Sequence, residues 1–154
     1  MMISRAVFLG STAAVLLAFG LAGCDTMKSM TGGGGSTDRY EASLSPSQEV
    51  PPNTSTGSGQ AEVTVNRDTS TMNYRVSYTG LSGPATAGHI HGPAAPGANA
   101  GVAVPFPNVA TSPVTGEVKL TPEQLNQLSS GQWYVNIHTA RNPGGEIRGQ
   151  LRKR

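Results

Sequence analysis

Two neighbouring stretches of the chain alternate in hydropathy with a period of two. Ala61, Val63 and Val65 stand against Glu62, Thr64 and Asn66, and Met72, Tyr74, Val76 and Tyr78 stand against Asn73, Arg75, Ser77 and Thr79. In an extended chain successive side chains leave opposite faces, so this pattern builds half-buried strands and conflicts with the 3.6-residue spacing of a helix. The polar run 67–71 between them suits a hairpin connection, and Gly80-Leu81-Ser82-Gly83-Pro84 closes the second strand. The same reading predicts strands over 40–45, 87–91, 102–106, 114–120, 133–139 and 146–151. About eight short strands in one domain imply an all-β fold, an antiparallel sandwich or a Greek-key barrel.

One short helix interrupts the pattern at 121–128. Thr121 can cap it, Pro122 suits the first helical position, Gln124 completes a capping box, and Gly131 ends it. Leu125 and Leu128 are expected to face the core. Gly57-Ser58-Gly59 precedes a strand and not a helix, the wrong context for phosphate binding, and reads as a loop. The stretch 93–101, rich in proline and alanine, has too little apolar bulk to pack and reads as an exposed connector after the first histidines.

Composition narrows the function classes. Charged residues are 13% of the chain, about half the usual share, and aromatics 5%, against 20 glycines and 11 prolines, which excludes a coiled coil or a charge-laced helical protein. The formal net charge of +2 is scattered apart from Arg152, Lys153 and Arg154, so no electrostatic footprint for nucleic acid is expected.

The first residues read as an address. Arg5 and the terminal amine precede an apolar run over 6–20, shorter than the ~20 residues a membrane-spanning helix needs. Leu21-Ala22-Gly23-Cys24 resembles the lipobox of bacterial lipoproteins. That resemblance implies a signal peptide over 1–23, cleavage before Cys24, and lipid attachment at Cys24; an ordinary secretory signal with an incidental cysteine is the alternative. Acyl chains contributing ~0.8 kcal/mol per buried methylene then hold the protein on a membrane without a span. Asp25 resembles the inner-membrane retention signal of enterobacterial lipoproteins, favouring the periplasmic face of the inner membrane over the outer membrane. Residues 24–38, with Gly32 to Gly35 and Ser36, read as a flexible tether. Met27 and Met30 suit soft Cu(I) as ligands, but on such a tether they also read as plain linker. The remaining domain is 39–154.

All three histidines lie in two segments, Gly88-His89-Ile90-His91-Gly92-Pro93 and Tyr134-Val135-Asn136-Ile137-His138-Thr139. On a strand His89 and His91 share one face while Ile90 turns inward; Val135 and Ile137 join Ile90, leaving Tyr134, Asn136 and His138 outside. If the two strands are neighbours, His138 reaches the first pair. Three neutral imidazoles at ~2.0–2.1 Å leave Zn(II) an open fourth position, and nitrogen donors equally suit Cu(II). The competing reading is structural, with each ring bonded to main chain and no ion. Glu146 offers a fourth, carboxylate ligand or an ion pair with Arg148 or Arg141; Arg148 shares its strand face and reads as a supporting residue. No serine or carboxylate stands in a recognisable relation to a histidine, so no catalytic residue is assigned.

These segments, with Ser43-Leu44-Ser45, Glu49-Val50-Pro51-Pro52 and Pro143-Gly144-Gly145-Glu146-Ile147-Arg148-Gly149-Gln150-Leu151, resemble the CHRD domain, first described in chordin and common in bacterial exported proteins. The resemblance implies an all-β domain. The His-x-His strand is also similar to one in copper/zinc superoxide dismutases, but the disulfide cysteines and fuller ligand set of that family are missing. The expected role is non-enzymatic: a lipid-anchored cell-envelope protein holding copper or zinc through His89, His91 and His138. The alternative is a module that binds an envelope protein or polymer with the histidines purely structural.

Overall fold

The computed structural model describes residues 36–154. The signal segment, Cys24, Asp25 and the Met27 and Met30 pair lie outside the described residues. Nine strands run in chain order: β1 (Thr37–Leu44), β2 (Ser58–Asn66), β3 (Thr71–Thr79), β4 (Ala85–His91), β5 (Val102–Pro105), β6 (Val114–Lys119), β7 (Tyr134–Thr139), β8 (Ile147–Gln150) and β9 (Arg152–Lys153), with helix α1 (Pro122–Ser129) between β6 and β7. They form two antiparallel sheets, ordered β6-β3-β2-β1-β9 and β5-β4-β7-β8. The fold is therefore an open all-β sandwich, and the barrel alternative falls.

The period-two pattern dictates the interior. Tyr40, Ala42 and Leu44 of β1, Ala61, Val63 and Val65 of β2, and Met72, Tyr74 and Val76 of β3 are buried on one face of the first sheet. Their register places Tyr40 beside Val63 and Val63 beside Tyr74, so the apolar rows align across the ladder. Ile90, Val104, Val135, Ile137 and Ile147 of the second sheet complete the core. Phe106 stacks on Tyr74, ring centroids 4.8 Å apart. Helix α1 begins with the expected capping box, Thr121 Oγ1 accepting from Gln124 N at 3.2 Å and Gln124 Oε1 accepting from Thr121 N at 2.9 Å. Leu128 is fully buried, Leu125 packs partly against the core, and Gly131 takes φ +70° after the helix.

Three features depart from the sequence reading. Strand β1 begins at Thr37, two residues inside the segment read as tether, because Asp38 is held by Arg67 at 2.5 Å and Lys153 at 2.7 Å. Ser58 and Gly59, read as loop, open β2; Gly59 pairs with Tyr78, and a Cβ there would stand 2.6 Å from Ser77 O. The ninth strand arises because the chain switches sheets after β8, so that Arg152 and Lys153 pair with Glu41 and Tyr40. Ser45 bridges to Arg148 at the same corner, which ties the two sheets together.

Glu146 is also placed differently from expectation. It forms no ion pair with Arg148 or Arg141; its carboxylate is fully buried and accepts from Ser55 Oγ at 2.5 Å, Ser82 Oγ at 2.7 Å, Ser82 N at 2.6 Å and the Thr139 hydroxyl. Burial alone would raise its pKa, but these hydrogen bonds outweigh burial and hold it down at about 2. A depressed carboxyl contributes stability above its unfolded value of 4.5, and that contribution is lost as pH falls from there through about 2. Glu146→Gln is expected to lower stability by about 2 kcal/mol at neutral pH, with a smaller acid-induced loss than wild type between about pH 4.5 and 2. Thermal unfolding across that range checks both, and parallel curves for the two proteins would count against the bonded carboxylate.

Candidate metal centre

Strands β4 and β7 pair antiparallel, with His91 opposite Tyr134, His89 opposite Asn136, and Ala87 opposite His138. Residues facing each other across such a ladder project to one side. The register therefore gathers His89, His91, Tyr134, Asn136 and His138 outside the core, while Ile90, Val135 and Ile137 pack inside it. The neighbouring strands on which the third imidazole depends are present.

One nitrogen from each of His89, His91 and His138 lies within 4.8 Å of the others. His89 Nδ1 stands 3.1 Å from His138 Nε2, near the ~3.3 Å that separates neighbouring donors on a tetrahedral ion with bonds of ~2.0–2.1 Å. A pair at the 4.8 Å limit has to close by about 1.5 Å for all three to reach one tetrahedral ion at those bond lengths.

The outer hydrogen bonds decide which nitrogens are free. His91 Nδ1 lies 3.0 Å from Ala100 O and His138 Nδ1 2.9 Å from Pro143 O. A carbonyl only accepts, so both rings carry their proton on Nδ1 and turn an Nε2 lone pair toward the cluster. Main-chain contacts thus occupy one nitrogen of each ring and leave the other, the arrangement that orients metal-binding imidazoles. Burial pushes His138 below the ordinary imidazole value despite the opposing Pro143 contact, with His91 adding to the depression. His89 is lowered by burial first and then by its two neighbours. Both shifts favour the neutral, ligating form.

Asn136 sits in the middle, 3% exposed. Its amide stands 3.1 Å from His91 Nε2 and 3.0 Å from His138 Nε2 through the atom assigned as Oδ1. Because both nitrogens are acceptors, the consistent orientation turns the amide NH2 toward them, one N–H to each ring. Neither Asn136 nor the Ala100 and Pro143 carbonyls were singled out as site groups from sequence. For Asn136 the signal existed, since it lies two residues from His138 on the same strand; for the carbonyls there was none.

Arg148 supports the centre through a stack. Its guanidinium lies 3.5 Å from the centroid of the Tyr134 ring, and that ring lies parallel to His91 within 4°, centroids 4.8 Å apart. The same guanidinium donates to Ala98 O at 2.6 Å and Asn99 Oδ1 at 2.9 Å. Tyr134 Oη accepts from Ala100 N at 3.2 Å. The connector 93–101, though largely exposed, is therefore pinned over the sheet by its backbone. Glu146 takes no part: among the described residues the cluster of metal-binding groups holds the three histidines alone.

A family model for the CHRD domain matches residues 40–151. No curated protein and no solved structure matches the chain. The matched span runs from β1 to the end of β8 and contains the three histidines, Asn136, Tyr134 and Arg148; the chain belongs to the CHRD domain family.

Proposed function

We propose that this protein is a lipid-anchored cell-envelope protein whose CHRD domain binds a copper or zinc ion through His89, His91 and His138, in a non-enzymatic role. The observation that carries the reading is the convergence of three imidazole nitrogens within 4.8 Å, two of them Nε2 atoms whose partner Nδ1–H groups are engaged by backbone carbonyls. Neutral imidazoles of this kind suit both metals, and three of them leave a coordination position open. The His89 side chain is half-buried, whereas His91 and His138 are 9% and 8% exposed, so exchange with solvent runs past His89.

The anchored state rests on the lipobox ending at Cys24, with Asp25 favouring the inner membrane's periplasmic face over the outer membrane. Among the described residues no helix is long and apolar enough to cross a membrane. Nucleic acid is not the partner proposed. Arg67 and Lys153 are spent on Asp38, and Arg154 lies 3.8 Å from Glu41, so the basic C-terminal strand is partly neutralised. The reading in which the histidines only support an interaction module is favoured by one observation, the closed bonding among the rings, Asn136 and the two carbonyls.

Metal titration of the purified protein by calorimetry, beside a variant with all three histidines changed to alanine, separates the two. Stoichiometric uptake of Cu(II) or Zn(II) by wild type and its loss in the folded variant is the expected result. Equal, weak uptake by both, with only stability altered, supports the purely structural role. Asn136→Asp places a carboxylate between the two Nε2 atoms and is expected to tighten metal binding by about tenfold or more, readable in the same titration. For the anchor, Cys24→Ala is expected to abolish incorporation of labelled fatty acid and to move the protein from the membrane to the soluble fraction; unchanged fractionation would refute lipid attachment.

A further inference from the structure

Main-chain contacts set the tautomers of His91 and His138, but neither tautomer of His89 satisfies the cluster by hydrogen bonds alone. With its proton on Nδ1, His89 and the Asn136 amide both donate to the single lone pair of His138 Nε2, at 3.1 and 3.0 Å. With its proton on Nε2, two lone pairs face each other across 3.1 Å. Buried polar groups are paired in the large majority of cases. A mismatch under both choices calls for a further occupant, and a cation is one that several lone pairs can share.

Asn136 stands where such an ion would touch it. It lies on β7 between Tyr134 and His138, opposite His89, and its inward amide atom is 3.1 Å from His91 Nε2 and 3.0 Å from His138 Nε2. A nitrogen lone pair that receives an N–H also aims at a metal, so the ion and the inward amide atom share one side of both rings. Those two separations, like the one between His89 Nδ1 and His138 Nε2, fall within about 0.3 Å of the spacing of neighbouring donors on a tetrahedral ion. An N–H turned toward a cation is repelled, whereas a carbonyl oxygen ligates. Half a turn about the Cβ–Cγ bond exchanges the NH2 and the oxygen within nearly the same volume, so the reversal needs no repacking of the strands. Other oxygens nearby are committed: Glu146 to Ser55, Ser82 and Thr139, and Tyr134 Oη to Ala100 N.

We propose that Asn136 is the fourth ligand of this centre, its Oδ1 completing a closed tetrahedral site with His89 Nδ1, His91 Nε2 and His138 Nε2. The assignment rests on the three histidines binding metal and gives that reading its functional sense, because a closed four-ligand site retains an ion, whereas a catalytic one keeps a position for water or substrate. The test is Co(II) loading of the full mature chain in detergent micelles, with azide as a small anion that enters an open position. Wild type is expected to take up Co(II) stoichiometrically, with the intense visible absorption of the four-coordinate ion, unchanged by azide. Asn136→Ala is expected to bind Co(II) about tenfold more weakly and to gain a spectrum that azide shifts. Weaker binding also follows from losing a residue that only orients the rings, so the azide response decides. Asn136→Asp, which keeps the shape and the oxygen, is expected to stay insensitive to azide. An azide shift in wild type, which needs no variant to observe, overturns the fourth ligand while leaving the three-histidine site standing. So does an alanine variant with the wild-type spectrum. Absence of Co(II), Zn(II) and Cu(II) uptake by wild type refutes the histidine site and this ligand with it.

Discussion

The antiparallel register between β4 and β7 is the constraint on which the histidine cluster depends. It sets His89 across from Asn136 and His91 across from Tyr134. A slip of one residue would turn every side chain of the strand over, sending the imidazoles into the apolar core and Ile90 outward. Apolar packing forbids it, because Ile90, Val135 and Ile137 are fully buried together. Two glycines tighten the fit further. A Cβ on Gly88 would stand 2.8 Å from both Ile137 and Phe106, and one on Gly92 would enter the indole of Trp133. The core face thus determines the position of polar groups with which it shares no chemistry.

The outer face of this sheet is unusual in being buried as well; every residue of β7 is buried. Its cover is the connector 93–101, whose buried apolar content is confined to Ala94. Polar bonds hold it instead: Gln150 takes Ala94 O, Arg148 takes Ala98 O, and His91 takes Ala100 O. The arrangement serves both partners. The connector's backbone is satisfied without a hydrophobic anchor, and the His91 ring receives the contact that selects its tautomer. Orientation of the rings by carbonyls on two loops, at Ala100 and Pro143, makes the site a property of the folded loops as much as of the strands.

Most of the strands were legible because alternation is a local signal, and the helix because its cap is written within four residues. The parts missed depend on distant partners. Gly59 belongs to a strand because Leu44 and Tyr78 flank it, and Arg152 because β1 has a free edge there. Of the centre, the His89 and His91 pair follows from strand geometry alone, and His138 follows once the strands are known to be neighbours. Glu146 shows the opposite case. Read locally, it belongs with the arginines near it in sequence, yet its bonds come from Ser55 and Ser82, more than 60 positions away, and from Thr139. Hydroxyl donors leave no pattern in a sequence that would reveal such a convergence.

Hydrogen bonding explains only part of the histidine cluster. The contacts to Ala100 and Pro143 account for the Nδ1 atoms of His91 and His138. Their Nε2 lone pairs then depend on the Asn136 amide, while His89 Nδ1 also approaches His138 Nε2, so two donors converge on a single lone pair. Bulky apolar side chains would fill the same volume without withdrawing three ionisable rings from water, a cost visible in the depressed pKa values of His89 and His138. A single cation is one occupant that uses all the inward lone pairs at once and offsets that desolvation. His89 is the half-buried ring of the three, and the stack of Arg148 on Tyr134 and of Tyr134, within 4° of parallel, on His91 fixes the orientation of the His91 ring.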